Sequence, residues 1–455
     1  MIFRHKRPGR KSFFASAGTI RIFFRTFAGF FTHRNKQIQN VKAELSDHYI
    51  HTLPCGMRII CAAGPTEVVY CGLAVDAGTR DELDSESGMA HFTEHLSFKG
   101  TRRRKAWHII NRMESVGGDL NAFTGKEETV YYCTCLKQHL PRAIDVLADI
   151  ALNSTYPQHE MDKEVEVVAS EIESYNDSPG ELIYDEFENL IFHGHPLGRN
   201  ILGNAERLRQ FVTDDIVQFA RRLYTPGNMV LFVYGQADPK QVVRLAEKAL
   251  RSLVPEDCPP VLPQTRTPLP DFRPQTVEKQ MDTHQAHVMM GRRAYGASHK
   301  NHLAMFVLNH ILGGPGMNSR LSQSLREKNG LVYTVESTLT TYTDTGVWAV
   351  YFGCDPKKVE RCRKLVFKEL SKLAQAPLSA TALTAVKKQI KGQIGISYDN
   401  FENVAIGMGK RYLHYGKTLT RQELNNRIDA LTAQDLWLTA REMFVPEEMT
   451  VLIYR

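Results

Sequence analysis

Residues 87–102 read SGMAHFTEHLSFKGTR, and within them His91, Glu94 and His95 lie at offsets of 0, +3 and +4. On an α-helix these offsets bring two imidazoles and one carboxylate onto a single face. The imidazoles there can share a metal ion, while the carboxylate reaches a water next to the ion. The pentad therefore predicts a helix with the residue layout of a metallohydrolase site.

A second carboxylate-bearing helix is needed to complete such a site. Histidines on a surface helix near a Glu are also typical of solvated charge pairs, whereas a catalytic zinc takes three protein groups and leaves a fourth position for water. Residues 161–176 read MDKEVEVVASEIESYN, with apolar residues at helical spacing and with Glu164 and Glu171 two turns apart. We expect one of these two carboxylates to be the third ligand.

The motif order resembles that of a known family. The pentad, the following residues 98–101 (FKGT) and a Glu placed 76 residues after His95 are similar to the pitrilysin-type (M16) zinc peptidases, the inverzincins. The chain is most similar to the two-domain bacterial members and to the beta-type subunit of the mitochondrial processing peptidase. The resemblance implies that Glu171 is the third ligand and that Glu164 supports the site, with one Zn²⁺ per chain.

The chemistry of such a site also predicts a role for Glu94, the fourth residue of the pentad. Zinc held by His91, His95 and Glu171 would lower the pKa of a water toward neutrality and polarise the scissile carbonyl. Glu94, which is not a ligand, would accept the proton of the water and deliver it to the leaving amine. We therefore predict a zinc metalloendopeptidase that hydrolyses extended or unfolded peptides.

Two further segments resemble the substrate-binding parts of the family. Residues 118–124 (GDLNAFT) resemble an edge strand that holds a peptide by backbone hydrogen bonds, which assigns substrate binding to Asn121 and Ala122. Arg326 and Tyr333, seven residues apart, resemble the pair that contacts substrate from across the cavity, and Tyr333 is also a candidate catalytic hydrogen-bond donor. Without the resemblance, the segment is a half-buried strand, and the pair is a surface Arg and a core Tyr.

The chain of 455 residues is long enough for two cores. Seven of its twenty prolines lie between positions 255 and 274, which indicates a linker. Residues 215–234 also recur at a constant shift of 220, as residues 435–454, so that each half ends with a helix, a Pro turn and a strand.

We therefore predict an α+β fold with two homologous, α/β-sandwich-like domains, each a mainly antiparallel sheet covered by helices. The expected segments are a basic, disordered extension (1–43), a catalytic zinc-binding domain (44–250), a Pro-rich linker (251–275) and a second domain without the metal motif (276–455).

The net charge of +7 comes from the N-terminal extension. Residues 1–43 contain ten Lys or Arg and no acidic residue, so residues 44–455 carry a net charge of −3. No basic stripe with interleaved aromatics appears in the body, and we expect no nucleic-acid partner. The extension could be a presequence, a membrane-surface helix or translated sequence upstream of the natural start, and its apolar run is too interrupted to span a membrane.

Compartment and partners follow from the resemblance. Compact bacterial members are similar in length, which indicates a bacterial cytoplasmic protein, with the mitochondrial matrix as the alternative if the extension is a presequence. Because single-chain members carry four such domains, a two-domain chain is expected to close its chamber as a homodimer or as a heterodimer with a related M16 chain. The alternative functions are a non-catalytic or assembly subunit and a mitochondrial presequence-processing peptidase.

Overall fold

A computed structural model describes residues 48–254 and 266–455, which form one six-stranded and one five-stranded sheet. The strands of the first sheet are Tyr49–Thr52 (β1), Arg58–Ala62 (β2), Val68–Val75 (β3), Asp119–Thr124 (β4), Thr129–Leu136 (β5) and Met229–Tyr234 (β6). The strands of the second sheet are Thr276–Lys279 (β7), Ala286–Tyr295 (β8), Val332–Thr341 (β9), Thr345–Cys354 (β10) and Thr450–Tyr454 (β11).

Helices cover both sheets. Those up to residue 254 are Met89–Ser97 (α1), Ala106–Glu114 (α2), Leu140–Leu152 (α3), Gln158–Asn176 (α4), Pro179–Ile191 (α5), Ala205–Leu208 (α6), Thr213–Leu223 (α7) and Pro239–Leu250 (α8). Those after residue 266 are His302–Gly313 (α9), Val359–Gln375 (α10), Ala380–Ser397 (α11), Phe401–Tyr415 (α12), Arg421–Ala430 (α13) and Ala433–Met443 (α14), together with a π-helical turn at Ser322–Glu327.

The two sheets repeat one topology. Their strand orders are β1-β2-β6-β3-β5-β4 and β7-β11-β8-β10-β9, and every pairing is antiparallel except β2 with β6 and β7 with β11. The repeated sequence units become α7 followed by β6 and α14 followed by β11, and each of these strands lies inside its sheet. The prediction of two mainly antiparallel sheets covered by helices is confirmed.

The central strands are buried on both faces. Every residue of β6 and of β10 is buried, which requires apolar cover above and below each sheet. On one face of each sheet the cover comes from helices of the same half, such as α3 on the first sheet and α9 on the second.

The other face of each sheet is covered by a helix from the opposite half. Helix α12 packs on β3 and β6 of the first sheet, where Ala405 and Met408 join the cluster of Phe232 and Tyr234. Helix α5 packs in the same way on β8, β10 and β11 of the second sheet. The sequence did not indicate this exchange, because an amphipathic helix pattern does not show which sheet the helix covers.

Buried ion pairs at the turn between β4 and β5 also join the halves. Glu127 accepts a hydrogen bond from Arg80 (2.6 Å) and another from the backbone N–H of Thr343 in the second half (2.9 Å). The next residue, Glu128, lies 2.9 Å from Nε2 of His414 on α12. The turn is therefore held from both halves by charged groups that are largely removed from water.

Two of the predicted segments lie wholly or partly outside the described residues. The basic extension of residues 1–43 lies wholly outside them, as do residues 255–265 of the linker, and the bounds of the four segments stay predictions. Within the part of the chain that the structure describes, no helix combines the length and the apolar character needed to cross a membrane.

The contact between α12 and the first sheet predicts opposite effects for two glycines on α12. A Cβ at Gly409 would lie 2.3 Å from the buried ring of Phe232, whereas a Cβ at Gly407 meets no atom within 4 Å. We expect Gly409→Ala to lower the free energy of unfolding by about 1–3 kcal/mol through overpacking. Gly407→Ala should raise it by about 0.5–1 kcal/mol, since alanine favours a helix. Denaturant unfolding measures both, and equal effects would contradict the packing described for α12.

Candidate metal centre

The start of helix α1 is fixed by its backbone and by one carboxylate. Gly88 precedes the helix with a φ of 88°, a conformation that favours glycine, and a Cβ there would lie 2.9 Å from Cα of Gly203. Glu82 accepts hydrogen bonds from the backbone N–H of Gly88 (3.2 Å) and of Ala90 (2.8 Å). Two amides at the start of the helix, which cannot bond within it, are thereby satisfied.

Three donor side chains converge between α1 and α4. Nε2 of His91 lies 3.9 Å and Nε2 of His95 lies 3.8 Å from Oε2 of Glu171. All three donor atoms lie within 4.8 Å of one another, and in the described ranges this is the only such group of three or more His, Cys, Asp or Glu side chains. The helical offsets in α1 and the packing of α4 against α1 produce this arrangement.

The donor set fits zinc. A tetrahedral zinc at about 2.0–2.2 Å from two imidazoles and a carboxylate needs donor atoms roughly 3.3–3.5 Å apart. The separations of 3.8 and 3.9 Å to Glu171, and the 4.8 Å limit on all three donor atoms, exceed this value, so the side chains must move closer together to hold the ion. Two His and one Glu are also the ligand types of a catalytic site that keeps one position open.

The two histidines differ in protonation and in support. Burial and the neighbouring His95 hold the pKa of His91 well below its ordinary value, so the ring of His91 is neutral. Burial also opposes the charge on His95, but its hydrogen bond with Glu164 and the nearby carboxylates raise the pKa of His95. Nδ1 of His91 is buried without a hydrogen-bond partner among the described residues, whereas Nδ1 of His95 donates to Glu164 at 2.9 Å.

Glu94 is buried and oriented by a neighbouring strand. The hydroxyl of Thr124, the last residue of β4, donates to Oε2 of Glu94 at 2.6 Å. Burial raises the pKa of Glu94, although His95 and the Thr124 hydroxyl act in the opposite direction. A carboxylate with a raised pKa is a stronger base than an ordinary one near neutral pH.

Glu164 contacts the site without joining the donor cluster. Its Oε1 accepts from His95, and its Oε2 lies 2.5 Å from Nζ of Lys99. Burial opposes the charge on Glu164, but these two hydrogen bonds outweigh it and lower the pKa of Glu164. Burial raises the pKa of Glu171, and the charge on Glu164 adds to this effect, whereas His95 at 3.8 Å acts in the opposite direction. This placement matches the predicted division between a ligand and a supporting carboxylate, and the roles themselves stay a prediction.

The predicted substrate-binding residues lie in two places. Asn121 and Ala122 belong to β4, the edge strand of the first sheet, which packs against α1. Arg326 and Tyr333 contact each other, with the guanidinium 5.9 Å from the ring centroid. Over the described residues, no hydrogen bond or ion pair joins Arg326 or Tyr333 to the donor cluster. Tyr333 is 82% exposed, so the interpretation as a core tyrosine is wrong and the side chain is free to face a ligand.

His193 and His195, two positions apart in the loop after α5, do not belong to a donor cluster of this kind within the described part of the chain. His195 is buried, with Nδ1 accepting from the backbone N–H of Leu197 (3.2 Å) and Nε2 next to the carbonyl of Thr267 (3.0 Å). Both ring nitrogens of His195 are therefore used, while the nearby His193 is exposed. This geometry fits a packing role for His195.

Three supporting residues were not singled out from the sequence. Lys99 lies four positions after His95, a spacing that could have suggested a neighbour near the end of α1. Thr124 and Glu82 reach the site from a different strand and a loop, and no local pattern connects them with α1. Contacts of this kind depend on the tertiary fold.

Comparison with family profiles places both halves in one family. The family described as "Insulinase (Peptidase family M16)" matches residues 58–205, and the "Peptidase M16 inactive domain" matches residues 210–390. Together the two matches cover more than half of the chain.

Curated relatives align over most of the chain. The "Uncharacterized zinc protease YmxG" of Bacillus subtilis (strain 168) is 32% identical over 404 residues, which cover 89% of this chain and 97% of the relative. An "Uncharacterized zinc protease" of Rickettsia felis is 31% identical over 396 residues, covering 87% of this chain and 94% of the relative.

Solved structures share the fold. A protease from Helicobacter pylori superposes with a TM-score of 0.81 at 24% identity, covering 90% of this chain and 100% of that chain. A structure described as a peptidase M16 inactive domain, from Pseudomonas fluorescens, gives a TM-score of 0.82 at 17% identity, covering 90% and 97%. At these identities the likeness concerns the fold alone.

The family matches extend over both halves, and relatives at about one-third identity span most of the chain. This protein therefore belongs to peptidase family M16 and is a zinc metallopeptidase.

Proposed function

We propose that the chain is an endopeptidase that holds one zinc ion with His91, His95 and Glu171 and cleaves extended or unfolded peptides. The observation that carries the proposal is the convergence of these three donor atoms within 4.8 Å, with Glu94 on the same helix as the two histidines. When bound, zinc would polarise the scissile carbonyl and lower the pKa of a water toward neutrality.

Glu94 acts as the general base in this proposal. The Thr124 hydroxyl occupies Oε2 of Glu94, which leaves Oε1 to accept a proton from the attacking water. The same carboxyl group then delivers the proton to the amine of the leaving product. Because Glu94 is buried, its raised pKa favours holding the proton between these two steps.

The edge strand β4 supports the proposed substrate class. Its outer edge has no strand partner in the sheet, so an extended peptide can add to it through backbone hydrogen bonds at Asn121 and Ala122. A folded domain cannot present such a segment. Arg326 and Tyr333 would contact the peptide from the second half, where the exposed Tyr333 hydroxyl is a candidate donor to the developing negative charge.

The assembly and the compartment belong to the same proposal. Two copies of the chain, or this chain and a related M16 chain, would enclose the chamber, and the bacterial origin of the relatives supports the bacterial cytoplasm. A mitochondrial presequence-processing peptidase in the matrix would share the chemistry, whereas a non-catalytic assembly subunit would not need the complete set of His91, Glu94, His95 and Glu171.

The assignment of Glu94 predicts a catalytic defect without a metal defect. Glu94→Gln keeps the side-chain volume but removes the proton acceptor, so turnover of a quenched extended peptide should fall at least about 100-fold. Zinc content should stay near one per chain. Glu166→Gln is the control, because the Glu166 carboxylate lies on the exposed side of α4 and, among the described residues, pairs only with Arg209. A zinc-loaded Glu94→Gln variant with unchanged activity would refute the assigned role, and an inactive zinc-loaded wild type would favour the assembly subunit.

The two carboxylates of α4 predict different losses of zinc. Glu171→Gln removes a proposed ligand and should abolish stoichiometric binding, whereas Glu164→Gln removes the partner of His95 and should weaken binding by roughly 10 to 100-fold. Metal analysis after dialysis and titration against a chromophoric chelator measure both effects. Tighter zinc retention by Glu171→Gln than by Glu164→Gln would show that the ligand assignment is reversed.

A further inference from the structure

Lys99 contacts the carboxylate that supports the candidate metal centre. It lies two residues after the last residue of α1, and its Nζ is 2.5 Å from Oε2 of Glu164. The side chain of Lys99 is 27% exposed and that of Glu164 is 8% exposed, so the ion pair lies mostly inside the protein. A buried pair of this kind is screened much less by water and salt than a surface pair.

The contact leaves Glu164 with one orientation. Oε1 of Glu164 is taken by Nδ1 of His95 at 2.9 Å, and Oε2 is taken by Lys99. Because both oxygens are occupied by different donors, rotation of the carboxylate breaks a contact on one side or the other. The fixed carboxylate accepts a hydrogen bond from Nδ1 of His95 and so leaves Nε2, the other ring nitrogen, facing Glu171.

Lys99 also contributes a positive charge next to the carboxylates of the candidate metal centre. Glu94, Glu164 and Glu171 bring three carboxylates into one largely buried region. Among Lys and Arg side chains of the described chain, only Lys99 forms an ion pair with any of these three carboxylates. Zinc and Lys99 together would supply three positive charges against the three negative ones.

We propose that Lys99 is a positioning residue of the metal centre, which locks Glu164 and thereby preorganises His95 to bind zinc. The inference rests on the proposed function, because it assumes that His91, His95 and Glu171 hold the metal. It adds a second contact to the support of His95, because Lys99 holds Glu164 and Glu164 in turn holds His95. Outer contacts of this kind normally fix the ring orientation of a metal-binding histidine.

The direction of the effect separates positioning from simple electrostatics. A cation that acts only through its field repels zinc, so its removal would tighten zinc binding. The removal of an orienting contact has the opposite effect, because Glu164 becomes free to turn and His95 must then be ordered when the metal binds. A purely structural ion pair would change the stability of the metal-free protein and leave zinc affinity unchanged.

The test compares zinc dissociation constants by competition with a chromophoric chelator. Lys99→Met should raise the dissociation constant roughly tenfold, and Lys99→Arg, which keeps a charged donor, should stay closer to the wild type than to the Met variant. Lys163→Met is the matched control, because the exposed Lys163 lies on α4 and pairs with Glu160 at 3.0 Å. It removes the same charge at the position directly before Glu164 and should leave zinc affinity unchanged.

Two further variants keep the result decisive. In a Glu164→Gln background the additional effect of Lys99→Met should largely vanish, since the two residues act through one contact. Lys99→Gln is measured beside Lys99→Met, and the melting temperature of each metal-free variant is recorded, so that a folding defect in one of them does not decide the outcome.

The outcomes distinguish the inference from the proposed function. Unchanged or tighter zinc binding by the folded Lys99→Met and Lys99→Gln proteins, beside a wild type that binds one zinc, overturns the role of Lys99 alone. A wild type that binds no zinc overturns the role of Lys99 together with the proposed function.

Discussion

The burial of both faces of each sheet is the constraint on which the rest of the structure depends. Every side chain of β6 and of β10 is removed from water, so each sheet needs apolar cover on two sides. The helices of one half cover only one side. Helices α5 and α12 cover the remaining faces from the opposite half, and neither half retains its full core without the other.

This exchange connects the second half with the chemistry in the first. Thr124, which orients Glu94, is followed directly by the turn between β4 and β5. In that turn Glu127 is held by the backbone of Thr343, and Glu128 is held by His414 of α12. Burying such charges is costly unless each has a partner, so the turn has few alternative positions. The hydrogen bond to Glu94 therefore depends on contacts that the metal-free half supplies.

Local spacing explains which parts of the fold and the site were predictable. The offsets of His91, Glu94 and His95 determine a shared helical face, and the seven-residue spacing of Glu164 and Glu171 places both carboxylates on one face of α4. The repeat at a shift of 220 residues likewise indicated that one topology occurs twice. These features depend on the spacing of residues within one helix and on a repeated segment. Both can be seen in a single sequence.

The remaining features depend on long-range packing. Tyr333 lies exposed on β9, the edge strand of the second sheet, although its apolar ring alone suggested burial. The hydrogen bond from Thr124 to Glu94 joins a strand to a helix thirty positions away, and the pair of Lys99 with Glu164 joins the segment after α1 to α4. No periodic pattern in the sequence indicates such pairs, because each of these residues, considered alone, can be interpreted as a surface residue.

These contacts give a physical reason why the chain retains a second half that lacks the metal motif. The donor cluster needs only α1 and α4, and both belong to the first half. Helix α12, by contrast, supplies both the cover of the first sheet and the partner of Glu128, so two requirements are met by one element. A substitution that loosens α12 acts on the sheet and on the turn after β4 together. Because β4 carries both Thr124 and the edge proposed for peptide binding, the orientation of Glu94, the proposed base, and the alignment of the substrate are expected to change together when the two halves separate.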